Sequence, residues 1–196
     1  MYESNVEVKV DRRIVNTKQQ IRRALIELLS EKNESSISVR ELAQRAGINR
    51  GTFYIHYNDI HDLVEQLAEE ATERLRAVCR RHPPAKTPKK SYPFLTDLFE
   101  TLKSDPELFT VLLGTTGSHA YSNRICVMLQ QEFLDDLLSV FYSADAKQRE
   151  VASGFIVSGC LQQALCWLEN GTLETPEEMA YLVGRVIMHG VDALQT

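Results

Sequence analysis

Ser38-Val39-Arg40-Glu41-Leu42-Ala43-Gln44-Arg45-Ala46-Gly47-Ile48-Asn49-Arg50-Gly51-Thr52-Phe53-Tyr54-Ile55-His56-Tyr57 reads as two short helices joined at a glycine. Ser38 and Glu41 have the spacing of a capping box, in which the serine hydroxyl accepts the Glu41 backbone N–H and the carboxylate accepts that of Ser38. A helix therefore starts at Val39, and Val39, Leu42, Ala43 and Ala46 put its apolar residues on one face. Gly47 ends it, because glycine enters the left-handed backbone region without a Cβ clash. Asn49 caps a second helix whose first turn holds Arg50, Gly51 and Thr52. Glycine is a poor helix former there, but it suits a surface that lies close against a nucleic-acid backbone.

Working outward, Thr17 and Gln20 have the spacing of another capping box, opening a helix with Ile21, Ala24, Leu25, Leu28 and Leu29 on one face. Three helices thus share a small core. Phe53 and Tyr57, four apart, turn inward on the third, which leaves Arg50, Thr52, Tyr54 and His56 facing outward. An outward arginine pairs with guanine O6 and N7, and threonine and tyrosine hydroxyls suit phosphate oxygens. The partner implied is double-stranded DNA, with Lys18, Arg40, Asn49, Arg50, Gly51, Thr52, Tyr54 and His56 as candidate contacts.

The run from about Thr17 to Leu63, above all Ile48-Asn49-Arg50-Gly51-Thr52-Phe53-Tyr54-Ile55-His56-Tyr57 followed by Asp62-Leu63, resembles the DNA-binding domain of the TetR/AcrR family of bacterial transcription regulators. The resemblance covers about a quarter of the chain. It implies a helix-turn-helix followed by a long linking helix and a variable all-helical domain for ligand binding and dimerisation. One residue departs from the pattern: the family usually places a phosphate-contacting lysine at the start of the fourth helix, where this sequence has Ile60.

Charge patterning agrees. Residues 12–57 hold nine Lys/Arg and four acids, a surplus of five, on a chain whose net charge is −5; the remainder therefore carries −10. A local positive patch on an acidic protein favours one oriented encounter with DNA and disfavours coating it.

The fold class expected is all-α, about nine helices, with a helix-turn-helix domain over 1–60 and a helical effector-binding and dimerisation domain over 61–196. Leu63, Leu67, Ala71, Leu75 and Val78 trace a stripe along a helix of about six turns, and Pro83-Pro84-Ala85-Lys86-Thr87-Pro88-Lys89-Lys90 ends it as a linker. Phe94, Leu95, Leu98, Phe99 and Leu102 mark the next helix, and Asp105-Pro106-Glu107 offers a cap with proline at the first helical position. Ile125, Met128, Leu129, Phe133, Leu137 and Phe141 suit a long amphipathic helix. Another runs from about Lys147 to Asn170 and closes at Gly171; Thr175-Pro176-Glu177-Glu178 opens the last.

The small residues Ser153, Gly154, Ser158 and Gly159 permit close helix approach, whether within the chain or between copies. The resemblance favours a homodimer through the last two helices, with Gly154, Ser158, Gly159, Val183 and Ile187 at the interface. The aromatic and sulfur-bearing residues of the second domain likewise have two readings. They are ordinary core, or Phe99, Phe109, Tyr121, Met128, Phe133 and Phe155, with Gln162 as a polar anchor, line a site for a small apolar effector.

Other chemistries find no support in the residue pattern. No phosphate loop, nucleophile elbow or positioned base is visible, so no enzyme and no cofactor is expected. His56 and His61 are five apart, which spreads them around a helix, and no metal site is expected. Cys79, Cys126, Cys160 and Cys166 lack metal spacing and suit reduced, mostly buried thiols. No apolar run approaches the roughly 20 residues of a membrane span, so no membrane partner and a cytoplasmic location are expected. The function implied is a ligand-responsive repressor binding a pseudo-palindromic operator as a dimer. An activator of the same family, or a helical sensing or protein-interaction module with weak DNA binding, stands as the alternative.

Overall fold

The computed structural model describes residues 12–83, 92–114, 119–131 and 145–191, which form nine α-helices and a short 3₁₀ turn, with no strand among them. The chain divides into two compact units between Glu65 and Gln66.

The first unit holds α1 (Arg12–Glu31), the 3₁₀ turn (Glu34–Ser36), α2 (Val39–Arg45), α3 (Arg50–His56) and the start of α4 (Ile60–Arg81). Its core is Ile21, Leu25 and Leu28 of α1, Leu42 and Ala43 of α2, Phe53 and Tyr57 around α3, and Ile60, Leu63 and Val64 of α4, all buried. The helix expected to open at Thr17 begins at least as early as Arg12. The stretch from Arg12 to Thr17 contains no glycine or proline, so nothing interrupts the helix and the Thr17–Gln20 pair lies inside it.

The turn at Gly47 is closed as its sequence dictates. Gly47 has φ +67, its N–H donates to Gln44 O at 3.3 Å, and the Ile48 N–H reaches back to Ala43 O at 3.0 Å. These two bonds are the Schellman pattern, and they satisfy carbonyls that the end of α2 would otherwise leave open.

The second unit continues α4 and adds α5 (Pro93–Lys103), α6 (Pro106–Leu113), α7 (His119–Leu129), α8 (Ala146–Glu169) and α9 (Pro176–Val191). α5 packs on α9, and α6 on α8. Phe99, Leu102, Leu108, Phe109 and Leu112 are almost wholly buried. Trp167 meets Phe99 edge-on, ring centroids 5.3 Å apart, and its indole N–H donates to Glu174 O at 3.2 Å. The α5–α9 crossing is close enough that a Cβ on Gly184 would fall 2.5 Å from the Tyr92 ring. Thr175 and Glu178 complete the expected capping box, with bonds of 2.8 and 3.2 Å. Asp105 does not cap α6; its carboxylate turns to the Arg74 guanidinium at 3.2 Å, beside the stack of Arg74 on Phe109.

Candidate nucleic-acid interface

α3 is seven residues long, too short to hold its shape by intrahelical bonds alone. Its form comes from both ends and from below. The Asn49 Oδ1 accepts the Thr52 N–H at 2.7 Å and the Thr52 hydroxyl at 3.1 Å. Phe53 is wholly buried and packs on Tyr57 at 5.7 Å between centroids. Beyond Tyr57, Asp59 caps α4 through the Asp62 N–H, 2.8 Å, while the Asp62 carboxylate accepts the Asn58 N–H, also 2.8 Å. The glycine at 51 has a local reason besides any ligand: a Cβ there would sit 3.2 Å from the capping Asn49 oxygen.

The Ser38 hydroxyl accepts the Glu41 N–H at 3.2 Å as expected. The other half of that box differs from the expectation, because the Glu41 carboxylate is taken by Lys32, nine residues away, at 2.6 and 2.7 Å. A charge-assisted pair outcompetes a neutral backbone donor.

Some cations of this unit are paired and others are not. Arg23 pairs with Glu27, Lys32 with Glu41, and Arg45 with Glu31 and Glu27; the Arg45 hydrogen bond holds the Glu31 carboxyl below its ordinary pKa. Glu34, the remaining acid between residues 12 and 57, meets His61 Nδ1 at 2.8 Å, which raises the imidazole pKa above its usual value. Among the described residues, Lys18, Arg40 and Arg50 are exposed and have no ion pair. All four acids between residues 12 and 57 are thus engaged, and the three exposed cations without a partner lie on α1, α2 and α3. Tyr54 is exposed beside Arg50, and Thr52 and His56 are half-buried.

The exposure of one isoleucine and the burial of another did not follow from the sequence pattern. Ile55 is 77% exposed on α3, an aliphatic residue that the apolar pattern alone assigns to no face. Ile60, at the position of the family lysine, is buried in the core and offers no cation.

In the second unit, Phe99, Phe109, Tyr121 and Met128 lie in the interior, while Phe133 lies outside the described residues. The other two expected lining residues are elsewhere: Phe155 is 82% exposed and Gln162 is exposed, both on the outer face of α8. α8 is rich in small and apolar residues around its whole circumference, so its sequence does not reveal which side faces in. By length and composition it also passes as a membrane span, with a third of its most apolar stretch buried, against the expectation that no segment would. The interspersed serines, glycines and glutamines hide that average from a search for consecutive apolar residues.

Of the expected interface residues, Ser158 and Gly159 are exposed, and Gly154, Val183 and Ile187 are half-buried. Among the described residues, a Cβ on Gly159 would meet nothing within 4 Å, and one on Gly154 only Gln130 Nε2 at 3.8 Å, an ordinary contact. Val151, Phe155, Leu182 and Val186 are exposed on the same two helices. Of the cysteines only Cys79 is fully buried. Cys126, Cys160 and Cys166 are half-buried on α7 and α8, fewer buried thiols than expected; desolvation pushes the Cys160 thiol up to about 12.

A short capped helix set on a glycine turn, with cations of three helices left available, defines a DNA-binding helix-turn-helix protein. Comparison with known proteins places it further. Residues 21–67 match the family described as bacterial regulatory proteins, tetR family, and residues 89–189 the transcriptional regulator C-terminal region of that family. The chain belongs to the TetR family of transcription regulators. An HTH-type transcriptional regulator of Bacillus subtilis strain 168, YxbF, is 29% identical over 70 residues, which span 35% of this chain and 18% of that protein. Among solved structures, the fatty acid degradation regulator FadR from Bacillus halodurans aligns over 89% of this chain and 96% of its own. Its TM-score is 0.67, at 17% identity. FadR from Bacillus subtilis, solved with stearoyl-CoA, aligns over 88% and 98%, TM-score 0.63, also at 17% identity. These structures share the fold.

Proposed function

We propose that this regulator is a ligand-responsive repressor that binds a pseudo-palindromic operator as a homodimer in the cytoplasm. In this reading residues 1–60 bind DNA, and residues 61–196 dimerise and hold a small apolar effector. The observation that carries it is the set of exposed, unpaired cations Lys18, Arg40 and Arg50 on the three helices of the reading head. Lys18 and Arg40 suit phosphate, Arg50 in the first turn of α3 suits a guanine edge, and Asn49, Gly51, Thr52, Tyr54 and His56 complete the contact surface.

Dimerisation has separate support. Among the described residues, Gly159 has no neighbour that requires a glycine, and Val151 and Phe155 of α8 and Leu182 and Val186 of α9 are exposed apolar residues. A second copy covers them in the isologous manner of a two-fold dimer. Such a dimer sets two reading helices about 34–36 Å apart, the repeat of successive major grooves. The apolar effector is suggested by interior Phe99, Phe109, Tyr121 and Met128 and by the stearoyl-CoA of the B. subtilis FadR.

The test is a mobility-shift titration on duplex DNA flanking the protein's own coding region, repeated at rising salt and with acyl-CoA present. Tight binding to one flanking sequence, a two-fold-related footprint and release by acyl-CoA are expected. Equal affinity for flanking and random DNA would defeat the repressor reading.

A further inference from the structure

Resting on that DNA-binding reading, we infer that Ile55 reads the C5-methyl group of a thymine in the operator half-site. At 100° per residue, Gly51 and Ile55 fall together on the side of α3 opposite buried Phe53. Gly51 presents no side chain, and Ile55, one turn further on, projects an aliphatic side chain that is 77% exposed. Its neighbours are polar: Arg50 and Tyr54 are exposed, Thr52 and His56 half-buried.

An exposed aliphatic side chain on the helix that also carries exposed Arg50 has one matching occupant in duplex DNA. The edges of the base pairs in the major groove offer hydrogen-bond donors and acceptors, and a single apolar group, the thymine methyl. The unpaired cations Lys18, Arg40 and Arg50 supply the charge complementarity that brings a polyanion to this face. Bare Gly51 leaves room for the groove edge to approach, so the branched side chain of Ile55 reaches the methyl without first meeting a neighbour on its own face. Arg50 specifies a guanine by hydrogen bonds; Ile55 specifies thymine over cytosine by desolvating a methyl group.

The operator is first obtained by selection from randomised duplexes. Each of its thymines is then replaced singly by deoxyuracil, which removes the methyl and leaves the Watson–Crick edge intact. At one thymine of each half-site the affinity of the unmodified protein is expected to fall about fourfold, the equivalent of one buried methyl-sized group. Ile55→Ala is expected to bind the thymine and uracil duplexes equally, and Ile55→Val to keep the preference; circular dichroism verifies that both variants retain their helices. A thymine-to-uracil ratio undiminished in Ile55→Ala, or no thymine whose methyl matters, overturns the assignment while leaving DNA reading intact. Loss of self-association by Ile55→Ala with unchanged DNA affinity also overturns it, giving the face to a second copy of the chain. Selection that enriches no sequence removes the parent reading instead.

Discussion

Phe155→Ser tests the association surface proposed on α8, because the ring is 82% exposed and its removal leaves no cavity in the protomer. Covering a phenylalanine side chain stabilises by about 1.5–3 kcal/mol. In a two-fold dimer every interface residue occurs twice, so the substitution removes about 3–6 kcal/mol from association. At about 1.4 kcal/mol per tenfold change, the dimer dissociation constant rises about a hundred- to ten-thousandfold. Protomer stability, as for surface changes generally, shifts by less than about 0.5 kcal/mol. Sedimentation equilibrium over a dilution series reads the dissociation constant, and helical ellipticity on the same samples shows the fold to be kept. Operator affinity falls alongside, since each half-site is then engaged singly. A variant that stays dimeric at the dilutions where the unmodified protein does would place the interface elsewhere and refute the reasoning.

Other outcomes follow from the reading head. Arg50→Ala is expected to lose about 1–3 kcal/mol of discrimination between operator and random DNA, whereas Lys18→Ala weakens both and lowers the salt slope by about one, as titrations at several ionic strengths will show. Gly47→Ala places a Cβ on a residue with φ +67 and is expected to cost about 1–2 kcal/mol in urea denaturation; an unchanged midpoint would show that the turn relaxes elsewhere. His61 is raised above its ordinary 6.5 by Glu34. Its contribution is full below that value and fades as pH rises through the folded-state pKa, so stability measured against pH should decline there, and His61→Asn should remove that part of the decline.

The helix-turn-helix was legible because its signals are local. Ser38, Gly47 and Asn49 act on backbone groups within five residues, and buried Phe53 and Tyr57 lie one turn apart. What escaped the sequence depends on distance or on the absence of contrast. The Glu41 carboxylate has two acceptable partners, and only the fold brings Lys32 to it. Asp105 occupies a capping position, yet Arg74, thirty-one residues earlier, claims its charge. On α8 the apolar residues encircle the helix, so Phe155 read as interior. Gly184 escaped because the ring that forbids a Cβ there belongs to Tyr92, the residue before another helix.

Burial of Ile60 has a consequence for how the protein would find its site. Where the family pattern has a lysine, this chain places a side chain in its core, so the proposed dimer would make two fewer backbone contacts, and its salt slope is expected to be shallower by about two. Backbone contacts hold a regulator on any sequence it touches. With fewer of them, residence on random DNA shortens and the protein returns to solution more often between encounters. Its search would then be weighted toward hopping over sliding, with a larger share of its operator preference falling on the few side chains proposed to touch bases.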